Sequence, residues 1–151
     1  MTLGISLDEP SKAKGWRDIQ PLHSTRADVE RLLGPPTDKR DCIYNICTYY
    51  LHDVNVQFNY SPGDCKSGRG AWAVPPDTVV NITVHSGPGL RWSSLAIEKA
   101  KFMKKNIGHI QNIVSYLNEE DGLLIEVNEE MDEVMGFYYL PAARDKHLHC
   151  P

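Results

Sequence analysis

The sequence predicts an α+β domain of two tandem repeats, each a helix followed by a three-stranded antiparallel meander, forming one curved sheet with both helices on one face. Three observations support this prediction: a short capped helix, alternating strands after it, and an internal similarity. The segment 45–59 can be laid over 112–128 with a two-residue insertion. The repeats span about 20–86 and 93–141 of a single domain at 16–151, after a flexible lead-in at 1–15.

The first helix is predicted in STRADVERLLGPP, residues 24–36. Ser24 or Thr25 can cap its first amides, and Asp28 occupies the position of the capping-box acid. The Gly-Pro-Pro sequence at its end forbids continuation. One apolar stripe lies at helical spacing: Val29, Leu32 and Leu33. Because so short a helix is unstable alone, we expect it to pack on a sheet.

The strands of the first repeat are predicted at 43–50, 54–60 and 78–84. In VNVQFNY (54–60) every second residue is apolar, which is typical of a strand with one buried and one solvent-facing side. The third strand is predicted to direct Val80, Ile82 and Val84 inward, and Asn81, Thr83 and His85 outward. The intervening loop 61–77 is long and rich in Gly and Pro, and such loops are usually functional or held in place.

The second repeat is predicted to follow the same plan. Its helix is placed in SSLAIEKAKFMKKNIG (93–108). Apolar residues recur there at helical spacing: Ala96, Ala100, Met103 and Ile107. Asp121 and Gly122 mark a hairpin turn, and VMGFYYL (134–140) supplies the third strand.

Charge and motif content exclude several function classes. The formal net charge of −4 provides no basic field for nucleic acid or for an anionic membrane surface. No apolar run is long enough to span a bilayer. GxSxG, HExxH, P-loop and dinucleotide-binding motifs are absent. No catalytic residue is therefore predicted, although a hydrolase with a dispersed site stays open.

The four cysteines bear on the compartment. Cys42 and Cys47 would lie roughly 16 Å apart on opposite faces of one extended strand, so they cannot bond unless the chain turns between them. Cys150 is the penultimate residue and can clamp the chain end to the long loop around Cys65. We predict a Cys65–Cys150 disulfide and an oxidising compartment. Four reduced cysteines, some buried as small apolar groups, are the alternative.

The C-terminal HLHC sequence suggests a second, different site. Imidazole and thiolate ligands suit zinc or copper. His147, His149 and Cys150, with His85 recruited from the sheet, would form such a site. Cys150 cannot serve as a ligand if it is bonded to Cys65, so the two predictions exclude each other.

Several segments resemble known families. PLHSTRADVERLLGPP resembles the helix opening of the SmpA/OmlA-type small outer-membrane lipoproteins, and a doubled version is similar to the helix-plus-sheet repeats of the β-lactamase inhibitory protein. GWRDIQPLHSTRADVERLLG, WAVPPDTVVNITV, YLNEEDGLLIEV and YYLPAARDKHLHC resemble an uncharacterised family of small exported soil-bacterial proteins, over residues 15–150. Counterparts of Cys65 and Cys150 recur in that family. The resemblance implies the fold and a periplasmic or secreted location, with the native signal peptide absent from this chain.

The leading functional expectation is a non-enzymatic binding module of the cell envelope whose partner is another protein. It would use an aromatic sheet face and the 61–77 loop, because tyrosines are enriched at recognition surfaces. The expected contact residues are Tyr49, Tyr138, Trp72 and Trp92. The alternatives are the zinc or copper protein described above and a homodimer that buries the aromatic face.

Overall fold

The computed structural model describes residues 15–66, 71–106 and 111–151. Eight strands form one antiparallel sheet. They are β1 (Cys42–Ile43), β2 (Ile46–Tyr50), β3 (Val54–Tyr60), β4 (Val79–Ser86), β5 (Met103–Asn106), β6 (Ile113–Asn118), β7 (Leu123–Asn128) and β8 (Glu133–Tyr139). One α-helix, α1 (Arg26–Leu33), and four 3₁₀ segments at Lys39–Asp41, Trp92–Ser94, Lys99–Lys101 and Ala143–Leu148 complete the described elements.

The sheet consists of two meanders joined along their last strands. The strand order is β1-β2-β3-β4-β8-β7-β6-β5, so β4 and β8 meet antiparallel in the middle. The hairpins β2–β3 and β6–β7 share a register, since Ile46 pairs with Asn59 and Ile113 with Asn128. These are the positions that the internal alignment equates. A duplication of the chain stays a prediction.

The two faces of the sheet differ because side chains alternate along each strand. One face, here called the covered face, carries the core: Cys47, Tyr49, Val56, Phe58, Ile82, Val84, Leu123, Ile125, Val127, Phe137 and Tyr139. Over β2–β4 it is covered by α1 and the segment before it. Val29 is fully buried there, and the ring of Trp16 contacts that of Phe58 with centroids 5.9 Å apart. The capping box of Thr25 and Asp28 predicted for α1 is present.

The predicted α+β class is wrong, and the fold is mainly β. The second helix is not formed, because the apolar residues that pack against the core are not those of the helical stripe. Ala96, Ala100 and Met103 are exposed. Three residues off that stripe pack against the core instead: Leu95, Ile97 and Phe102. They lie on an irregular segment that ends in β5.

The prediction that Val80 faces inward is also wrong. A β-bulge at Asn59/Tyr60 shifts the pairing of β3 with β4, so that Tyr60 lies opposite Val79. Val79 is therefore fully buried and Val80 only partly. Ile82 and Val84 are buried as predicted. The lead-in at 1–14 and Ile107 lie outside the described residues.

Two disulfides are present. Cys65 is bonded to Cys150 with 5.7 Å between their Cα atoms, which joins the 61–77 loop to the chain end as predicted. Cys42 is bonded to Cys47 across the β1–β2 hairpin. The chain turns between them at Tyr44 and Asn45, so the extended-strand geometry expected for 43–50 does not apply.

Candidate binding surface

The four predicted contact residues do not share one surface. Tyr49 lies on the covered face and is 7% exposed, and its hydroxyl donates to the carbonyl oxygen of Gly34 over 3.1 Å. Tyr138 lies on the opposite face, where its hydroxyl donates to Oε2 of Glu126 over 3.0 Å. Tyr49 is therefore part of the core and of the contact with α1.

The two tryptophans are in separate places. Trp72 pairs with His149 through a β-bridge, and their rings meet edge-on with centroids 5.0 Å apart. Trp92 stacks on Tyr116 of the covered face, with ring centroids 4.2 Å apart. The ammonium of Lys99 lies over the Trp92 ring, 5.0 Å from its centroid. Both side chains thus have structural contacts, at the chain end and over the β5–β8 half respectively.

The zinc or copper site of the alternative prediction loses its thiolate, because Cys150 is bonded to Cys65. Nδ1 of His147 lies 3.1 Å from the carbonyl oxygen of Arg144, and His149 contacts Trp72. His85 is exposed on β4. Within residues 15–66, 71–106 and 111–151, no three histidine, cysteine or acidic side chains are grouped so as to hold a metal ion.

The side of the sheet opposite the covered face is here called the open face. Most of its side chains are exposed or partly exposed, whereas Ser115 on β6 is only 3% exposed. The pairing register defines a row that crosses seven strands of it: Thr48, Gln57, Thr83, Tyr138, Leu124, Leu117 and Met103. None of these seven side chains is buried. No described segment packs over this row as α1 packs over the core.

The part of the open face on β2–β4 has no charged residue among its nine outward positions, in a chain that is 24% charged. We call it the neutral face. It consists of Ile46, Thr48, Tyr50, Asn55, Gln57, Asn59, Asn81, Thr83 and His85. Depletion of charge is typical of the centre of a binding interface.

The polar side chains of the neutral face have no hydrogen-bond partner among the described residues. Asn55, Asn59 and Asn81 occupy strand positions although asparagine is disfavoured in strands. Their amides therefore offer donors and acceptors to solvent or to a bound molecule. Neither strand propensity nor an internal contact explains three asparagines here.

The neighbouring part of the open face, on β7 and β8, contains a neutral donor beside a carboxylate. Burial, and then the hydrogen bond to Glu126, raise the pKa of Tyr138 to about 12. Next to this pair, a Cβ at Gly136 would lie 3.2 Å from the carbonyl oxygen of Val84. Glycine within a strand is often found where another backbone approaches closely, and here that backbone is β4.

A second exposed feature is the tip of the β1–β2 hairpin. Ile43 is 63% and Tyr44 95% exposed, and Tyr44 has a left-handed φ of 58° that is unusual for a bulky residue. The Cys42–Cys47 disulfide closes the base of this tip. Two cysteines separated by four residues were the signal that the sequence offered for it.

Two hollows lie elsewhere on the surface. One of about 300 Å³ lies at the start of β3, beside the β2–β3 turn. It is lined by Asp53, Val54 and residues 86–90. The other, of about 470 Å³, lies between the 17–19 turn and α1, and Asp28 and Arg31 within it bind each other at 2.9 Å. A serine and a carboxylate line each hollow, but both serines are engaged by the backbone: Ser86 Oγ donates to the carbonyl oxygen of Val134, and Ser24 Oγ accepts from the amide of Gln20.

Comparison with protein-family models, with curated proteins and with solved structures finds no match to this chain. In the part of the chain that the structure describes, no helix has the length and apolar character needed to cross a membrane.

Proposed function

We propose that this protein is a non-enzymatic binding module of an extracytoplasmic compartment, and that its partner docks on the open face. One observation carries the proposal: an exposed, charge-free sheet surface whose hydrogen-bonding side chains have no partner among the described residues. The aromatic set predicted from the sequence is replaced by the open face, to which Tyr138 alone of that set belongs.

The 61–77 loop borders the same surface. It leaves the end of β3 and returns to the start of β4, next to Asn59 and Asn81 of the neutral face. The Cys65–Cys150 disulfide holds one part of the loop, and the backbone amide of Asp77 donates to the carbonyl oxygen of Ser61 over 3.0 Å. The described loop residues held in this way can contribute contacts at little cost in conformational entropy.

The proposed compartment is supported by the disulfides, which form and persist in oxidising environments. Protein isolated from its native source without reductant should be lighter than the reduced chain by four hydrogens, since two disulfides are present. A mass equal to that of the reduced chain would contradict an extracytoplasmic location.

A charge placed in the centre of the neutral face tests the proposed surface. Thr83→Lys introduces a cation between Gln57 and Tyr138, whereas Thr37→Lys places the same charge on an exposed loop. We expect the wild-type protein and Thr37→Lys to retain the same component of a bacterial envelope extract, and Thr83→Lys to lose it. Equal retention by all three, or no saturable retention by the wild type, would contradict the proposal.

A further inference from the structure

We propose that the ligand of the neutral face is an uncharged carbohydrate chain. This inference rests on the proposed function and specifies its partner. Three features support a carbohydrate: the chemistry of the nine outward side chains, the position of two tyrosine rings, and the lack of charged side chains among those nine.

The hydrogen-bonding groups of the neutral face match sugar hydroxyls. An amide side chain has two donors on nitrogen and two acceptor sites on oxygen, and a hydroxyl group both donates and accepts. Each sugar hydroxyl can therefore pair with Asn55, Gln57, Asn81 or a threonine in either sense. Because the polar side chains of this surface have no intramolecular partner among the described residues, such contacts break no protein hydrogen bond.

Two aromatic rings flank these amides. Tyr50 is 68% exposed on β2, and Tyr138 lies half-buried on β8. Three strand spacings separate the two strands, which is roughly 14 Å. A tyrosine ring presents an apolar surface together with a polar tip, so it can pack against the C–H face of a sugar while the hydroxyl stays hydrated. A chain of a few sugar rings fits across the strands between them.

Other ligand classes fit this surface less well. Nucleic acid and anionic lipid need lysine or arginine, and the neutral face has neither. An extended peptide binds by adding a strand to a sheet edge, whereas the backbone groups in the middle of this sheet are already paired. A protein partner usually fills the centre of an interface with tryptophan, tyrosine or arginine, and here the centre holds Gln57 and Thr83.

Binding to defined polysaccharides tests the inference. The probes are soluble xylan, a β-1,3-glucan, soluble cellulose and chitin derivatives without charge, and amylose, with polygalacturonate and heparin as anionic controls. Affinity electrophoresis and calorimetry of the intact, oxidised protein report binding. We expect saturable binding to at least one neutral glycan, independent of salt between 50 and roughly 500 mM because no ion pair is involved, and none to the anionic polymers.

Two variants on the neutral face and two matched controls locate the site. Asn55→Ala and Tyr50→Ala remove exposed side chains, so they should fold, and each should weaken binding by about tenfold. Gln111→Ala and Tyr44→Ala remove an exposed amide and an exposed ring elsewhere and should bind as the wild type does. Circular dichroism in the near ultraviolet checks the fold of each variant.

Three results would overturn the inference: no binding to any neutral glycan, binding that only the anionic polymers show, or an equal loss in Tyr44→Ala and Tyr50→Ala. The first of these is distinguishable from a failure of the proposed function. If Thr83→Lys still abolishes the retention of an envelope protein, the open face is a binding surface and only the carbohydrate assignment is wrong.

Discussion

The hydroxyl of Tyr49 donates to the carbonyl oxygen of Gly34 over 3.1 Å, so β2 is tied directly to the residue that ends α1. Tyr60, on the covered face of β3, differs from Tyr49 in the hydrogen bonding of its hydroxyl. It is 1% exposed, and its hydroxyl has no hydrogen-bond partner among the described residues. The guanidinium of Arg26 lies 4.1 Å from the centre of its ring.

Replacing each of these tyrosines with phenylalanine should change stability in opposite directions. Tyr49→Phe removes a satisfied hydrogen bond and should lower the free energy of unfolding by about 1 kcal/mol. Tyr60→Phe removes a buried hydroxyl without a partner and keeps the ring under Arg26, so it should raise that free energy by up to about 1 kcal/mol. Urea unfolding measures both. A loss of stability in Tyr60→Phe as large as in Tyr49→Phe would mean that the hydroxyl is satisfied.

The two disulfides should contribute unequally to stability. Cys65 and Cys150 are 85 residues apart in sequence, and Cys42 and Cys47 are five apart. In the chain-entropy model the longer closed loop stabilises by about 4.5 kcal/mol and the shorter by about 2 kcal/mol. We therefore expect the Cys65→Ser/Cys150→Ser double variant to unfold at a lower urea concentration than Cys42→Ser/Cys47→Ser. The reverse order would contradict the role assigned to the chain-end clamp.

A histidine–aspartate pair also fastens the chain end. Nε2 of His23 lies 3.0 and 3.1 Å from the carboxylate oxygens of Asp145, whose side chain is 7% exposed. Among the described residues, His23→Ala leaves this buried carboxylate with only the distant guanidinium of Arg144, at 3.9 Å. We expect a loss of about 1–2 kcal/mol in unfolding free energy.

His147→Ala is the matched control for that variant, since His147 is an exposed histidine of the same tail. Its removal should change the unfolding free energy by less than about 0.5 kcal/mol. Equal effects of the two substitutions would show that the His23–Asp145 contact does not stabilise the fold.

Stability should fall at alkaline pH in a way that depends on Tyr138. Burial and the Glu126 carboxylate raise the pKa of Tyr138 to about 12 in the folded protein, compared with about 10 in an unfolded chain. Its contribution is complete below pH 10 and is lost as the pH rises toward 12, because the unfolded state loses the proton first. The stability of the wild type should therefore decrease more between pH 9.5 and 11.5 than that of Tyr138→Phe. Equal slopes would contradict this assignment.

The elements that the sequence predicts correctly are those with strong local signals. The capping box and Gly34 define α1, and alternation defines β3, since both depend on residues next to one another in the chain. The failure at 93–108 has a tertiary cause. Ile97 and Phe102 lie off the helical stripe, yet they are partly buried against the core. Periodicity cannot show which of two alternative sets of apolar residues will pack against the sheet.

The candidate surface was harder to predict than the fold for a related reason. The alternation placed Asn81, Thr83 and His85 outward correctly, but their significance depends on β2 and β3 presenting uncharged residues beside them. Aromatic content predicted Tyr49 and Trp92 as contact residues instead. Tyr49 is buried in the core, and Trp92 stacks on Tyr116. A surface that spans three strands becomes visible only when the register is known.

A nuclear magnetic resonance titration tests the central claim, that the open face is the surface this protein uses, most directly. The ¹⁵N-labelled, oxidised protein would be titrated with a neutral oligosaccharide cut from the polysaccharide that binds best. We predict that the perturbed backbone amides cluster on 46–50, 55–59 and 81–85, and that Tyr44 and the tail at 143–150 are unaffected. Perturbations confined to the hairpin tip or to the tail would contradict the account.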